Sequence, residues 1–301
     1  MNADQLLSFV TVVQKNSFTR AAALLNVTQP TVTARVKALE RELGCRLLER
    51  LPTEIRLSDA GAELLPIAQQ ILRLVALAES VIGDDGTPQG RVTMGASDLV
   101  TTTRLLPLVE YVYRRYSDLE LSLLETDCAN AIEGVRGGAL DCAVFVDVKR
   151  EHPGLNTVIL REEPLAVVSS PAQVGTATSP VPREASDSIW VRCGEGSLWQ
   201  ADLERSIAET AGVDATRNIS LTSVDSAKRT VAQGMGFTIL PKIAAEEELR
   251  DGSLVKGRWQ PPIKTYLHLA WRDDPHLPGA LRAVLGDVLR LFEIPDAAAV
   301  R

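Results

Sequence analysis

Apolar stripes separated by short polar breaks fill the first 45 residues and predict three short helices. The stripe of the first helix leads into the following turn: Leu6, Leu7, Val10, Val13 and Phe18. Ser17 suits the N-cap of a second helix that is rich in alanine and leucine. Asn26 breaks that pattern, and Thr28 can cap a third helix. Two short helices on either side of a tight turn follow from this order.

The third helix has one apolar and one polar face. Its apolar residues recur at spacings of four, three and four: Val32, Val36, Leu39 and Leu43. A helix braced on that face can lay its N-terminal half in the major groove of DNA, where uncharged amides and hydroxyls read base edges. Arg35 and Lys37 could then reach phosphates, which orient the helix without specifying sequence. For this helix alone, a polar face that only meets water is the alternative.

Residues 45–57 predict a return to the core followed by a two-stranded wing. Gly44 fits a helix C-cap, and Leu47 and Leu48 are apolar again. Residues 50–57 indicate two short strands around a turn, with Arg50 and Arg56 flanking the tip. The predicted DNA-binding residues are Thr28, Gln29, Pro30, Thr31, Thr33, Ala34, Arg35, Lys37, Arg50, Thr53 and Arg56.

A long helical pattern runs from Asp59 to about Gly83, after Ser58 as its cap. Its main seam is spaced as in a heptad repeat: Leu64, Ile67, Ile71, Leu74, Ala78 and Val81. A second track widens the face: Leu65, Ala68, Leu72 and Val75. About 25 residues would span about 37 Å. We interpret it as a dimer helix; a core helix of one domain is the alternative. Residues 83–91 then indicate a flexible hinge.

The remaining chain alternates strand and helix patterns, which predicts an α/β body with parallel sheet. Strand patterns are RVTMGAS, LELSLLETD, LDCAVFVD, LAVVSS, SIWVRC, NISLTS, GFTILP and YLHLAWR. Helix patterns cover about 101–115, 131–138, 198–211, 224–233 and 278–292.

Composition and charge place the chain among globular proteins with a mildly basic head. It has 301 residues, 45% of them hydrophobic, and a net charge of -7. Residues 1–60 hold eight basic and six acidic residues, so the rest carries -9. With neither a leader pattern nor a spanning apolar run, we expect a cytoplasmic protein without membrane contact. The four cysteines show no CxxC spacing and the three histidines no ligand pair, so we expect reduced thiols, no metal and no cofactor.

Residues Phe9 to Gly61 resemble the winged helix-turn-helix of LysR-type transcriptional regulators. The matching residues are Phe9, Ser17, Phe18, Ala21, Ala22, Leu24, Gln29, Pro30, Val32, Thr33, Leu39, Glu40, Leu43, Gly44, Leu47, Leu48, Arg50, Leu57, Ser58, Ala60 and Gly61. The resemblance implies promoter DNA and a small-molecule effector as partners, RNA polymerase as a candidate partner, a homodimer through antiparallel linker helices, and a homotetramer.

The resemblance also implies the domain plan. We expect an all-α/winged-helix DNA-binding domain at 1–58 and a linker helix with hinge at 59–90. A two-lobed α/β effector domain, like periplasmic solute-binding proteins, would occupy 91–301. Its first lobe would comprise about 91–166 and 266–301, and its second lobe about 167–265.

Ligands in such folds bind at the carboxyl ends of strands, near helix N-termini. The predicted effector-binding residues at four such places are Ser97, Thr101, Thr102, Asp127, Cys128, Asp147, Gly196, Ser197 and Thr222. Ordinary helix capping is the alternative for each threonine. Many family members bind small carboxylates, whereas Asp127 and Asp147 would favour an amine or amino acid. These two could equally be surface carboxylates, and Arg192 is the nearest cation of the second lobe.

Three other functions are compatible with parts of the sequence. A redox-responsive regulator of the same family would need two nearby reactive cysteines. A cytoplasmic solute-binding protein would not explain a DNA-reading head. An enzyme is disfavoured because CGEGS is not a nucleophile elbow, no histidine is placed for a triad and no phosphate-binding loop is present.

Overall fold

The structure, a computed structural model, describes residues 1–50, 55–82, 88–174, 189–193, 196–211, 218–274 and 276–294. The chain divides into two compact units. The first holds Met1–Thr87 with the short segments Gly137–Ala139 and Asp274–Gly279. The second holds the rest. None of the described helices is long and apolar enough to cross a membrane.

Three helices form the head, as the apolar pattern predicts. They are α1 (Ala3–Lys15), α2 (Phe18–Leu24) and α3 (Gln29–Leu43). Ser17 accepts a hydrogen bond from the backbone N–H of Arg20, and Thr28 accepts one from the N–H of Thr31. Both residues are therefore N-caps. Gly44 ends α3 in the left-handed region, with φ of 70°.

The head core is built on one face of α3. Val32, Val36 and Leu39 are buried there, together with residues of α1 and α2. Leu43, the last position of the predicted stripe, is 41% exposed, so its assignment to the core was wrong. It lies at the C-terminal end of α3, and the chain turns away at Gly44 and returns to the core at Leu47 and Leu48.

The wing consists of β1 (Leu48–Arg50) and β2 (Ile55–Leu57), which pair antiparallel. Glu40 of α3 fixes the approach to β1 by accepting hydrogen bonds from the N–H groups of Leu47 and Leu48. Asn16 fixes the start of β2, because its side-chain oxygen accepts the N–H of Ile55 at 2.9 Å. Thus the wing is held to two helices of the head.

The long helix α4 (Asp59–Ile82) starts after the cap Ser58, whose hydroxyl accepts the N–H of Gly61. It belongs partly to the head. Ala68 is fully buried in the head core, and five further residues of α4 pack against that core: Ala60, Leu64, Leu65, Ile71 and Leu72. Ile67 and Leu74 are each 53% exposed. The predicted seam is therefore divided between packing within the chain and an exposed face.

A five-stranded sheet forms the first lobe of the second unit, in the order β4-β3-β5-β12-β6. The strands are β3 (Gly90–Ala96), β4 (Leu119–Glu125), β5 (Cys142–Val148), β6 (Leu155–Glu162) and β12 (Thr265–Arg272). Its helices are α5 (Asp98–Val100), a π turn (Thr101–Leu105), α6 (Leu106–Arg115), α7 (Cys128–Gly137) and α12 (Gly279–Leu291).

A second five-stranded sheet forms the other lobe, in the order β11-β7-β10-β8-β9. The strands are β7 (Leu165–Ser169), β8 (Trp190–Cys193), β9 (Asn218–Leu221), β10 (Phe237–Pro241) and β11 (Val255–Lys256). Its helices are α8 (Pro171–Val174), α9 (Leu198–Ala211), α10 (Val224–Ala232), a 3₁₀ turn (Lys242–Ala245) and α11 (Glu246–Asp251).

Both sheets contain the predicted parallel strand pairs, and both also contain antiparallel pairs that the sequence patterns did not predict. In the first lobe β12 runs antiparallel to β5 and β6, and in the second β7 runs antiparallel to β10 and β11. The cause is the double crossing of the chain between lobes, because β6 leads out to β7 and β11 leads back to β12. The sequence patterns also missed β6, whose residues are mostly half-buried.

Candidate functional site

The exposed N-terminal half of α3 carries most of the predicted DNA-binding residues. Thr28, Gln29, Pro30, Ala34 and Lys37 are exposed, and Thr31 and Thr33 are half-buried. The polar side chains bond to one another, since the Gln29 amide donates to the Thr33 hydroxyl at 3.1 Å and the hydroxyls of Thr28 and Thr31 lie 2.8 Å apart. Such a surface offers oriented amide and hydroxyl groups without charge.

The basic residues predicted to contact phosphate differ in their exposure and in their ion-pair partners. Arg35 donates to Asp4 of α1 at 2.8 Å, and its side chain is only 27% exposed, so any phosphate would compete with that carboxylate. Lys37 and Arg56 are exposed. Arg50 ends β1 by its backbone, but its side chain and all of Thr53 lie outside the described residues.

A cavity of about 760 Å³ separates the two lobes of the second unit. Six of the nine predicted effector-binding residues line it: Ser97, Thr102, Asp127, Cys128, Ser197 and Thr222. Thr101, Asp147 and Gly196 do not line it. As the strand-end rule predicts, the lining of both lobes includes residues that directly follow strands, among them Ser97 after β3 and Thr222 after β9.

The segment after β3 presents its hydroxyls mainly to its own backbone. Ser97 caps α5 by accepting the N–H of Val100, and Thr102 donates to the carbonyl oxygen of Asp98 at 2.8 Å. Thr103 donates to the carbonyl oxygen of Leu99 at 2.6 Å. These bonds match the capping alternative, yet both threonines also line the cavity. The helix widens here into a π turn, a deviation common at functional sites.

Asp127 and Gly196 mark a close approach between the lobes. Asp127 caps α7, since its carboxylate accepts the N–H and the side-chain amide of Asn130. Gly196 faces it with φ of +88°, and a β-carbon at Gly196 would lie 2.4 Å from the Asp127 carboxyl carbon. The N–H of Ala129 also donates to the Gly196 carbonyl oxygen. Gly196 is therefore a position where the two lobes pack closely together. This packing explains why Gly196 itself does not line the cavity.

Asp147 is a buried ion-pair partner, so its interpretation as a surface carboxylate was wrong. Its side chain is fully buried, and Arg150 contacts it at 2.9 Å while also pairing with Asp202 of α9. Burial raises the pKa of Asp147 above its ordinary value. Arg192, the expected cation of the second lobe, pairs with Glu204 and does not line the cavity.

The sequence patterns missed most of the charged and aromatic lining. The missed polar residues are Asp98, Glu125, Thr126, Asp225, Lys228, Glu247 and Glu248. Phe145 and Trp199 also contribute, although both are nearly buried. One signal was available, since Glu246, Glu247 and Glu248 form an acidic run at the start of α11. Nothing in the run itself places it opposite the first lobe.

Three of the four cysteines are buried, and the exposed one is Cys45. Desolvation raises the pKa of Cys128 to about 12 and also raises the pKa values of Cys142 and Cys193. Nearby Asp147 adds to the shift at Cys128. The thiols of these three residues are therefore held protonated at neutral pH, and a protonated thiol is a poor nucleophile.

The head with its polar helix face and the two lobes around a cavity define a DNA-binding regulator with a ligand-binding domain. Residues 3–62 match the family model of bacterial regulatory helix-turn-helix proteins of the LysR family. Residues 85–292 match the model of the LysR substrate binding domain. The chain belongs to the LysR family of transcriptional regulators, which are not enzymes.

Individual relatives agree with this assignment. The chain is 31% identical over 265 residues to a probable hydrogen peroxide-inducible genes activator of Streptomyces viridosporus, which covers 86% of this chain and 83% of the relative. It is 25% identical to the transcriptional regulator YwqM of Bacillus subtilis, over 97% and 100% of the two chains. A full-length OxyR variant from Pseudomonas aeruginosa shares the fold, with a TM-score of 0.74, 22% identity and coverage of 98% and 95%.

Proposed function

We propose that this regulator reads promoter DNA through the exposed face of α3 and responds to a small molecule bound in the cavity between the lobes. The observation that carries the proposal is the cavity itself, which polar residues from both lobes line. An effector that contacts both lobes favours the closed arrangement over the open one, and only such a difference in affinity can shift a conformational equilibrium. The connector after α4 would pass that change to the head.

The proposed function also implies protein partners for this chain. Two copies pair through the exposed face of α4, and the family resemblance extends the dimer to a tetramer and makes RNA polymerase a candidate partner. We propose that the protein works in the cytoplasm and needs neither a cofactor nor a catalytic step.

A two-stage experiment tests the proposal. Duplexes selected from a random pool by the full chain are compared with scrambled duplexes by fluorescence anisotropy, and we expect clear preference for the selected sequences. A metabolite screen by thermal shift then identifies a ligand. Thr102→Trp, which places an indole in the cavity, should abolish the ligand shift, whereas Glu110→Trp on the exposed face of α6 should preserve it. Equal affinity for scrambled and selected DNA would refute the DNA-reading role.

A peroxide response is the alternative suggested by the names of the relatives. The buried, protonated thiols of Cys128, Cys142 and Cys193 disfavour it. We therefore expect hydrogen peroxide to leave the affinity for the selected duplex unchanged within about twofold, as measured by anisotropy with a catalase-quenched control. A larger change that disappears in Cys128→Ser or Cys193→Ser would establish redox control instead.

A further inference from the structure

The walls of the cavity carry a strong excess of negative charge, and both lobes contribute equally. The first lobe supplies three acids: Asp98, Glu125 and Asp127. The second lobe supplies three more: Asp225, Glu247 and Glu248. Lys228 is the one basic residue among the described residues of the lining, so the formal charge of these described residues is -5. The cavity defines the site, and this charge decides which class of ligand it can hold.

Lys228 does not offset this charge for an incoming anion. Its ammonium lies 2.5 Å from Glu248 and 3.8 Å from Asp225, and its side chain is only 15% exposed. A carboxylate effector would have to displace these partners and would face four further acidic side chains of the lining. An anion in this cavity is therefore electrostatically disfavoured.

The acids retain unused hydrogen-bonding capacity. Oε1 of Glu248 accepts from Lys228, whereas its Oε2 is shielded from solvent and has no hydrogen-bond partner within the described part of the chain. Asp98 and Glu247 are exposed on opposite walls. Ammonium groups would supply donors to such oxygens, because each carries a positive charge and several N–H bonds.

Closure of the lobes brings two negatively charged walls together, which is unfavourable when nothing lies between them. A cation that contacts both walls removes this repulsion and binds the closed arrangement more tightly than the open one. The charge distribution thus couples ligand charge to lobe closure, which is the property that an effector requires.

The separation of the acids favours an extended organic cation over a metal ion. Among the described residues no three acidic, histidine or cysteine side chains lie close enough together to hold a metal ion. Phe145 and Trp199 also line the cavity, and aromatic faces attract organic cations and pack against methylene groups.

We propose that the effector is an organic cation with at least two ammonium groups, a diamine or polyamine, which bridges the acidic residues of the two lobes. This inference rests on the proposed function, because it takes the cavity between the lobes as the effector site.

The test measures binding to the full chain by isothermal titration calorimetry. The probes are 1,4-diaminobutane and spermidine, with 1-aminobutane, succinate and magnesium chloride as comparators. We expect spermidine and the diamine to bind at one site per chain and more weakly as salt is added. The monoamine should bind at least about fivefold more weakly, since it can satisfy only one wall. Succinate and magnesium should show no binding at this site.

Conservative variants locate the site. Glu247→Gln and Asp98→Asn each remove one charge from the lining, and we expect about fivefold weaker spermidine binding in each. Glu246→Gln is the matched control, because Glu246 is an exposed neighbour on α11 that does not line the cavity. It should bind spermidine as the parent chain does. Unchanged melting temperatures verify that the three variants are folded.

Three results would overturn the inference. Glu246→Gln could weaken spermidine binding as much as Glu247→Gln does, or spermidine could bind at many equivalent weak sites. Magnesium chloride could also displace spermidine when it is added at the same concentration of positive charge. If succinate or another anion bound in the cavity and altered DNA affinity, the proposed function would stand while the cationic effector would be refuted. If no compound of either charge bound and Thr102→Trp left DNA binding unaffected under all conditions, both would fail.

Discussion

At the scale of single residues, hydrogen bonds to neighbouring side chains determine which groups on α3 are oriented for contact with DNA. Gln29 and Thr33 are joined by a hydrogen bond on the exposed face of α3, which fixes the orientation of the amide. A fixed amide can read the edge of a base, whereas a freely rotating one must first be ordered. The charged Arg35 is already paired with Asp4.

Gln29→Ala should therefore reduce discrimination more than total affinity. Loss of one base contact reduces the preference for the correct base by about 1–3 kcal/mol, while phosphate contacts persist. Competition anisotropy with the selected duplex and single-position variants of it measures this directly. Lys37→Ala is the comparison, because it should weaken all duplexes alike and reduce the salt slope by about one. Equal loss on selected and random DNA in Gln29→Ala would contradict a reading role.

His268 lies buried in the first lobe, where it stacks on Phe145 beside His152. Desolvation lowers the pKa values of His268 and His152 below the ordinary 6.5, despite the favourable field of Asp147 on His268. Below the ordinary pKa the unfolded chain binds protons that the folded chain does not. Each of these histidines therefore favours unfolding as the pH falls through and below 6.5.

His268→Asn should flatten the fall in melting temperature between about pH 7.5 and about pH 5.5, because one such titrating group is removed. Differential scanning calorimetry of the full chain gives the slope, which is independent of any uniform loss of stability in the variant. His276→Asn, at an exposed position, is the control and should leave the slope unchanged. A slope in His268→Asn equal to that of the parent would show that His268 does not contribute.

At the scale of elements, helices were easier to predict than sheets. Capping residues such as Ser17, Thr28 and Ser58 act locally, so the sequence alone indicates where a helix begins. Strand order depends on contacts between distant segments, and β6 and β12 meet only because the chain crosses twice between lobes. The cavity-lining residues that directly follow strands could be predicted from the sequence. The lining residues of α11 could not, since no local pattern places Glu247 opposite Asp98.

The exposed face of α4 is the element through which we expect two copies of the chain to associate. Ile67 and Leu74 are each 53% exposed one heptad apart, as expected for a helix that pairs with a second copy. Ile67→Glu combined with Leu74→Glu should weaken self-association by at least about tenfold, because each buried aliphatic side chain contributes about 1.5–3 kcal/mol. Sedimentation equilibrium measures the change. Ala62→Glu introduces one glutamate at an exposed position on a different side of α4 and should leave association intact; equal weakening there would exclude a specific face.

At the scale of the whole molecule, Arg104 and Glu163 join the cavity wall to the strand crossing. Arg104 follows the cavity-lining threonines in the π turn and donates two hydrogen bonds to Glu163, at 2.7 and 2.9 Å. Glu163 lies between β6 and β7, and its N–H donates to the carbonyl oxygen of Thr265 at the start of β12. Both crossings between lobes are therefore tied to one nearly buried ion pair.

Arg104→Met should destabilise the chain by about 3 kcal/mol, since among the described residues it leaves the buried carboxylate with the longer contact to Arg161 as its one ion pair. Urea unfolding, followed by circular dichroism, measures the loss. The double variant Arg104→Met with Glu163→Gln should recover much of it, because the uncompensated charge is gone. Additive losses in the double variant would show that the two side chains do not act as a pair.

The packing of α4 into the head core has a consequence for how operators are recognised. Because Ala68 is fully enclosed among head residues, the start of α4 and the recognition surface turn as one piece. The angle at which two copies cross would then fix the distance and rotation between the half-sites that a dimer can span. Operators of this protein should differ from those of its relatives in spacer length wherever the residues of that crossing differ, even where the base-contacting side chains are identical.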